Sequence, residues 1–212
     1  KKYAALVPIN GPACAVEEDD DPQSARVLLV MDLETKKPII LSGTADYARI
    51  VQFFWLNDER IGFYKQPTRG LDAYDLWAID IDGKNLKKLV PGKWEDGYAT
   101  GASVSFLMDD DPDHVLIEYN KRRPKYTDIY KLNIYSGRLT TLAIDPVLGN
   151  NTLMGWAIDQ QGNVRGYMAM DGLKYKLYHR NDVNKDFELL REFTYQEAMF
   201  MPQTYDYDPR SV

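Results

Sequence analysis

Apolar positions along this chain fall into short runs, alternating or continuous, rich in Val, Ile, Tyr, Phe and Trp and bounded by Asp, Asn, Gly and Pro. Such runs predict strands. A two-residue side-chain period turns one set of residues to a buried face and the other to water, and the bounding residues supply the backbone angles of tight turns. No stretch sustains the 3.6-residue apolar stripe of a long helix, and Tyr195 to Phe200 is the one place that suits a single helical turn. The expected class is all-β.

Three segments then repeat one order of elements: an aromatic-led strand, an Asp-rich turn, a second strand, a loop, and two further strands. The first has Arg49 to Leu56, a turn at Asn57 to Glu59, Arg60 to Tyr64, Asp75 to Asn85 and Leu86 to Val90. The second has Ala102 to Met108, a turn at Asp109 to Asp113, Val115 to Tyr119, Asp128 to Arg138 and Leu139 to Leu142. The third has Leu153 to Ile158, a turn at Asp159 to Asn163, Val164 to Met168, Tyr175 to Arg180 and Phe187 to Arg191. Anchored on the end of the third strand, Asp32, Asp80, Asn133 and His179 are separated by 48 (80 − 32), 53 (133 − 80) and 46 (179 − 133) residues. That is close to the roughly 40 to 50 residues of one β-propeller blade.

The expected architecture is therefore a partial β-propeller of four-stranded antiparallel blades. A partial blade occupies residues 1–43, whole blades occupy 46–90, 102–144 and 151–193, and the start of a further blade occupies 199–212. Arg26 to Leu33 and Pro38 to Leu41 supply outer strands of the first, and Tyr205 to Val212 an inner strand of the last. Blades bury both faces against neighbours, so an open stack exposes apolar faces and edges at its ends. Two resolutions are open. Residues 205–212 pair with the strand at 26–33 and close a small ring, or the chain, which begins at Lys1 and stops at Val212 within a strand-like run, is a processed or truncated piece that would otherwise associate through its open edges.

Composition narrows the chemistry. The chain has 212 residues, is 44% hydrophobic and carries a net charge of −6, so it can build a core but does not suit a nucleic-acid surface, which needs clustered cations to replace counterions. No run approaches the roughly 18 apolar residues of a membrane helix, and no secretion signal opens the chain. Cys14 is the single cysteine, and with only His114 and His179 beside it no usual structural zinc site can be assembled. No cofactor and no metal are expected.

Other chemically suggestive residues each have a plainer reading. Glu17, Glu18, Asp19, Asp20 and Asp21 precede Pro22 in a strandless stretch and suit a solvated loop. Asp109, Asp111 and Asp113 alternate as calcium-loop ligands do, but His114 stands where that loop needs Gly and Asn120 where it needs a bidentate Glu, which leaves a hairpin turn. The run Lys121-Arg-Arg-Pro-Lys125 can grip an anion or a partner's carboxylates, or simply face water. Trp55, Trp77 and Trp156 lie in repeated strands, where bulk fills the space between blades. Asn150-Asn-Thr matches a glycosylation sequon, relevant only to a secreted eukaryotic protein.

Several of these segments together resemble the propeller of the prolyl-oligopeptidase family of serine peptidases, especially its bacterial dipeptidyl-aminopeptidase and acylaminoacyl-peptidase-like members. The resemblance is carried by Phe54-Trp-Leu-Asn-Asp-Glu-Arg-Ile61, Leu76-Trp-Ala-Ile-Asp-Ile-Asp-Gly-Lys-Asn85, Asp111-Pro-Asp-His-Val-Leu-Ile117, Ile129 to Arg138 and Trp156 to Arg165. It spans about residues 46 to 180. It implies a non-catalytic segment that gates or filters peptide substrates for an α/β-hydrolase domain of the parent chain, in the bacterial periplasm or cytoplasm. A hydrolase nucleophile would sit in Gly-x-Ser-x-Gly on a strand-to-helix turn. The nearest match, Gly101-Ala-Ser-Val-Ser105, ends in Ser and opens a strand, so Ser103 is not assigned and the chain alone is expected to cleave no peptide. The fold by itself leaves open a free-standing propeller that binds a protein or sugar partner, and a propeller hydrolase using channel carboxylates.

Overall fold

The computed structural model describes residues 2–8, 26–42, 49–66, 72–95, 97–146, 151–194 and 196–197. Cys14, the acidic run 17–21, Asn150, most of the segment 195–200 and the expected strand at 205–212 lie outside the described residues. Among those described, every regular element is a strand. The first sheet joins β1 (Lys2–Pro8), β2 (Arg26–Asp32) and β3 (Pro38–Ser42). The second joins β4 (Arg49–Asn57), β5 (Arg60–Gln66), β6 (Asp75–Asp80) and β7 (Lys87–Val90). A hairpin of β8 (Lys93–Glu95) and β9 (Tyr98–Thr100) follows. The third sheet is β10 (Ala102–Leu107), β11 (His114–Arg123), β12 (Tyr126–Asn133) and β13 (Leu139–Ala143). The fourth is β14 (Thr152–Ile158), β15 (Val164–Asp171), β16 (Lys174–His179) and β17 (Glu188–Thr194).

All four anchors do the same job: Asp32, Asp80, Asn133 and His179 are the last residues of β2, β6, β12 and β16, the penultimate strand of each sheet. At two of them a side-chain oxygen shapes the turn that follows. Asp32 Oδ1 accepts the Glu34 and Thr35 N–H groups at 2.9 Å, and Asn133 Oδ1 accepts those of Tyr135 and Ser136 at 3.2 and 2.7 Å. The chain then passes through a left-handed residue, Gly137 at φ 74°, where a side chain would be strained.

Two elements go beyond the expected strands. The first sheet is not limited to the strands at 26–42: β1 runs antiparallel to β2, with Ala4 opposite Val30. β2 is thus paired by β1 on one side and by β3 on the other. The place corresponding to β4, β10 and β14 in the other sheets is the outer edge of β1. The β8–β9 hairpin was also not expected. Its strands are three residues each, too short for a periodicity, and it lies within the longest of the three anchor spacings, between Asp80 and Asn133.

The described chain falls into two compact units, Lys1–Ala102 with Asn133–Arg138, and Ser103–Leu132 with Leu139–Val212. In the first, Ala4, Leu28, Val30 and Leu41 of the first sheet form one buried cluster with Ile50, Ile61, Phe63 and Ile79 of the second, and Phe53, Trp55, Trp77 and Ile81 pack against it. In the other, Leu116, Ile129 and Ala143 of the third sheet cluster with Trp156, Val164, Tyr167 and Ala169 of the fourth. Each core is thus a sheet-on-sheet contact, stabilised by about 1.5–3 kcal/mol for each large apolar side chain fully removed from water.

Candidate functional site

Polar chemistry gathers at the two ends of the repeated strands. At the end where β6 finishes, Arg60 is 1% exposed, yet every side of its guanidinium is met. Nε donates to the Ile134 carbonyl at 2.9 Å, Nη2 to the Asn85 carbonyl at 3.0 Å, and Nη1 pairs with Asp80. The Tyr135 ring lies 5.0 Å from the guanidinium, and the Tyr135 hydroxyl accepts a hydrogen bond from Asn57 at 3.0 Å. A buried cation matched this completely is a clamp on the turn at 133–138, not a reagent.

The same end of the fourth sheet is built from Asp159, Arg165, His179 and Arg180. Asp159 Oδ2 accepts from Arg165 Nε at 2.7 Å, and Oδ1 takes the Gln161 and Asn163 N–H groups. Burial opposes the Asp159 charge, but the Asn163 N–H and Arg165 outweigh it and hold the carboxyl below its usual range. Burial, and then the Arg165 charge, lower the His179 pKa, so the ring is neutral at pH 7. Beside it opens a pocket of about 290 Å³ edged by His179, Arg180, Lys185, Asp186, Glu188 and Leu189. Both signs of charge line it, and it offers hydrogen bonds to a small polar group.

The opposite end carries a feature repeated at a 53-residue offset. Asp75 opens the third strand of the second sheet and Asp128 is the third residue of the third strand of the third sheet, at 3% and 0% exposure. Each accepts, at 2.8 Å, the N–H of a residue just beyond the fourth strand, Gly92 for Asp75 and Asp145 for Asp128. Each takes a weaker bond from the aromatic two residues on, Trp77 Nε1 at 3.4 Å and the Tyr130 hydroxyl at 3.3 Å. Each has a cation: Lys88 sits 2.6 Å from Asp75, while Arg122 grips Asp128 through Nε and Nη2 at 3.1 and 3.0 Å. Burial and then Asp128 raise the Tyr130 pKa, and the hydrogen bond to Asp128 raises that of Arg122. With their lone pairs occupied, these carboxylates latch the end of each fourth strand to the third. A Cβ on Gly92 would lie 2.5 Å from the Tyr74 carbonyl, so the latch in the second sheet also needs a glycine.

Sequence-singled residues are scattered. Ser103 lies within β10, in extended strand and exposed, not on a strand-to-helix turn. Asp111 pairs with Lys131 at 2.6 Å and His114 at 2.8 Å, and those two hold its carboxyl below the usual range. No group of three or more metal-ligating side chains is found among the described residues, which Asp109 and Asp113 therefore do not form. Trp156 is buried against Tyr167 and Phe187 and donates Nε1 to the Thr127 carbonyl at 3.0 Å, whereas Trp55 and Trp77 are half-buried. Lys121 to Arg123 end β11, exposed. Arg60 and the two latches were missed, although Asp75-Leu-Trp and Asp128-Ile-Tyr, an acid two residues before an aromatic at the same distance from the anchor, were the signal.

No family model matches this chain. Over 100 residues, 47% of its length, it is 30% identical to dipeptidyl aminopeptidase BIII of Pseudoxanthomonas mexicana. It spans 14% of that protein. Among solved structures it superposes on a prolyl endopeptidase with TM-score 0.54 and 17% identity, covering 81% of this chain and 27% of the other. An oligogalacturonate lyase solved with manganese aligns at TM-score 0.47 and 14% identity, over 84% of this chain and 46% of the lyase.

Proposed function

We propose that these sheets are blades in the β-propeller of a prolyl-oligopeptidase-type serine peptidase, and that they filter peptide substrates for an α/β-hydrolase domain in the same protein. The observation that carries this reading is the run of three four-stranded sheets with an anchor closing each third strand, together with 30% identity to a dipeptidyl aminopeptidase over 100 residues. The likeness in fold to a prolyl endopeptidase supports it. In this role the described polar clusters hold blades in shape, and selection works by excluding bulky substrates from a channel. The reacting serine lies outside residues 1–212.

The test uses the full open reading frame in which this segment occurs. Its product should be labelled by a fluorophosphonate on one serine outside residues 1–212 and should release chromophore from dipeptidyl substrates. The 212-residue chain should do neither. A full-length product that takes no label, or a label on Ser103, would remove the proposal.

A further inference from the structure

The feature the reading above does not use is the arm formed by the end of β11 and the start of β12. Four of the chain's 26 cations fall in the five residues Lys121 to Lys125, in a protein of net charge −6. β11 is 10 residues long and β12 begins two residues before Asp128, so this hairpin reaches past the level of the latch. The corresponding turn of the fourth sheet, at Asp171 to Lys174, is tight and self-neutralised, with Lys176 2.8 Å from Asp171.

The arm is braced from within. Asn120 Nδ2 donates to the Pro124 carbonyl at 2.8 Å, closing the turn. Arg122 is tied by two hydrogen bonds to the buried Asp128, and the Tyr126 ring is flanked by the Arg122 and Arg123 guanidiniums, each 5.7 Å from its centre. Arg122 is spent on that brace. Lys121 and Arg123 are exposed and meet no carboxylate among the described residues. A guanidinium held beside the Tyr126 ring loses less freedom on meeting an anion than a free one, and the planar fork of Arg123 matches a carboxylate through two parallel hydrogen bonds.

We propose that this arm docks an acidic polypeptide segment, with Lys121 and Arg123 taking side-chain carboxylates and Tyr126 backing the guanidinium. The occupant is a peptide rather than a nucleic acid because the cations form one compact tip on an acidic chain, not the extended basic track that a phosphate backbone requires. Each exposed pair contributes roughly a two- to five-fold gain in affinity, so the loss of both should approach tenfold. The attraction should weaken steeply with salt, since screening acts over about 8 Å at physiological ionic strength.

The probe is a fluorescein-labelled heptaglutamate peptide titrated with the 212-residue chain by fluorescence anisotropy at low salt. Binding should fall about tenfold in Lys121→Gln/Arg123→Gln and change less than about twofold in Lys87→Gln/Arg138→Gln, which removes two exposed cations from the other unit. Lys121→Arg should retain it, and circular dichroism should show all variants folded. No binding, equal losses in the two double variants, or tighter binding of a single-stranded oligonucleotide of equal charge would each overturn the proposal.

Discussion

In the third sheet the residue five before the anchor is Asp128, fully buried and gripped by Arg122, Tyr130 and the Asp145 N–H. In the fourth sheet that place belongs to Lys174, which is exposed and reaches across to Glu192 at 2.6 Å. The two sheets share their strand order and pack into one core, yet one ends its fourth strand with a buried carboxylate and the other with a surface ion pair. What the fourth sheet has instead is aromatic mass: Tyr167 stacks on Tyr178 with centroids 4.6 Å apart and meets Phe187 edge-on at 5.0 Å, beside Trp156. The apolar period and the anchor are therefore what make a repeat, and the latch is a local option that packing can replace.

The largest test of that view removes the packing. Trp156→Ala deletes the 8%-exposed ring that the two sheets share and should cost about 3–5 kcal/mol in urea unfolding followed by circular dichroism. Trp55→Ala, half-buried at the margin of the other cluster, should cost clearly less. Equal losses would mean that the aromatics of the fourth sheet do no more than any margin residue.

Next in size is the latch. Asp128→Ala strands the Asp145 N–H and leaves Arg122 without its partner, which predicts a loss of roughly 3 kcal/mol. The expected value stays below that for a fully buried pair because Arg122 is 37% exposed and water can take over part of its hydration. Hydrogen exchange should show the damage concentrated at the end of β13. A loss confined to β10 would contradict the latch.

How much of this was legible beforehand follows from length and repetition. β4, β5, β10, β11, β14 and β15 run six to ten residues with clear apolar patterns, and the repeat fixed their order. β1 lacks such support. Its run Lys2–Pro8 has no anchor or Asp-rich turn beside it, so only its pairing with β2 reveals it. The buried Arg60 was read as the start of an ordinary strand because two of its three partners, the Ile134 and Asn85 carbonyls, are backbone atoms that sequence does not mark, and the third, Asp80, lies 20 residues away across the sheet. The latches could have been read from Asp-x-aromatic at matching offsets, whereas the basic arm was visible as a charge run but not as a braced hairpin.

A smaller effect appears in alkali. Burial first, then the neighbouring Tyr178, pushes the Tyr167 hydroxyl up to about 12. The folded state thus holds a proton that the unfolded chain releases near the ordinary value of 10, so folding takes up protons there and stability falls as pH rises from about 10 towards 12. Its contribution is complete below pH 10. Tyr167→Phe should flatten this limb of the stability curve while leaving the curve at pH 7 to 9 parallel to that of the wild type. An unchanged slope above pH 10 would show that Tyr167 ionises in the fold as freely as in water.

The smallest expected effect is at the position that replaces the latch. Lys174 and Glu192 hold each other 2.6 Å apart, and the Lys174 hydrogen bond keeps the Glu192 carboxyl below its usual range, but both side chains stand largely in water. Salt and side-chain freedom erode such a pair until little net gain remains. Lys174→Ala should therefore melt within error of the wild type, in contrast with Asp128→Ala at the same place in the neighbouring sheet. Placing the acid itself there tests whether the site could host a latch: Lys174→Asp puts a carboxylate beside Glu192 without an arginine like Arg122 to meet it. It should lower the melting temperature at low salt and recover as ionic strength rises, since the added repulsion is screened. A stabilising Lys174→Asp would mean that the end of β17 already offers the N–H groups a latch needs, and that the two sheets differ in a single side chain and not in how their ends are built.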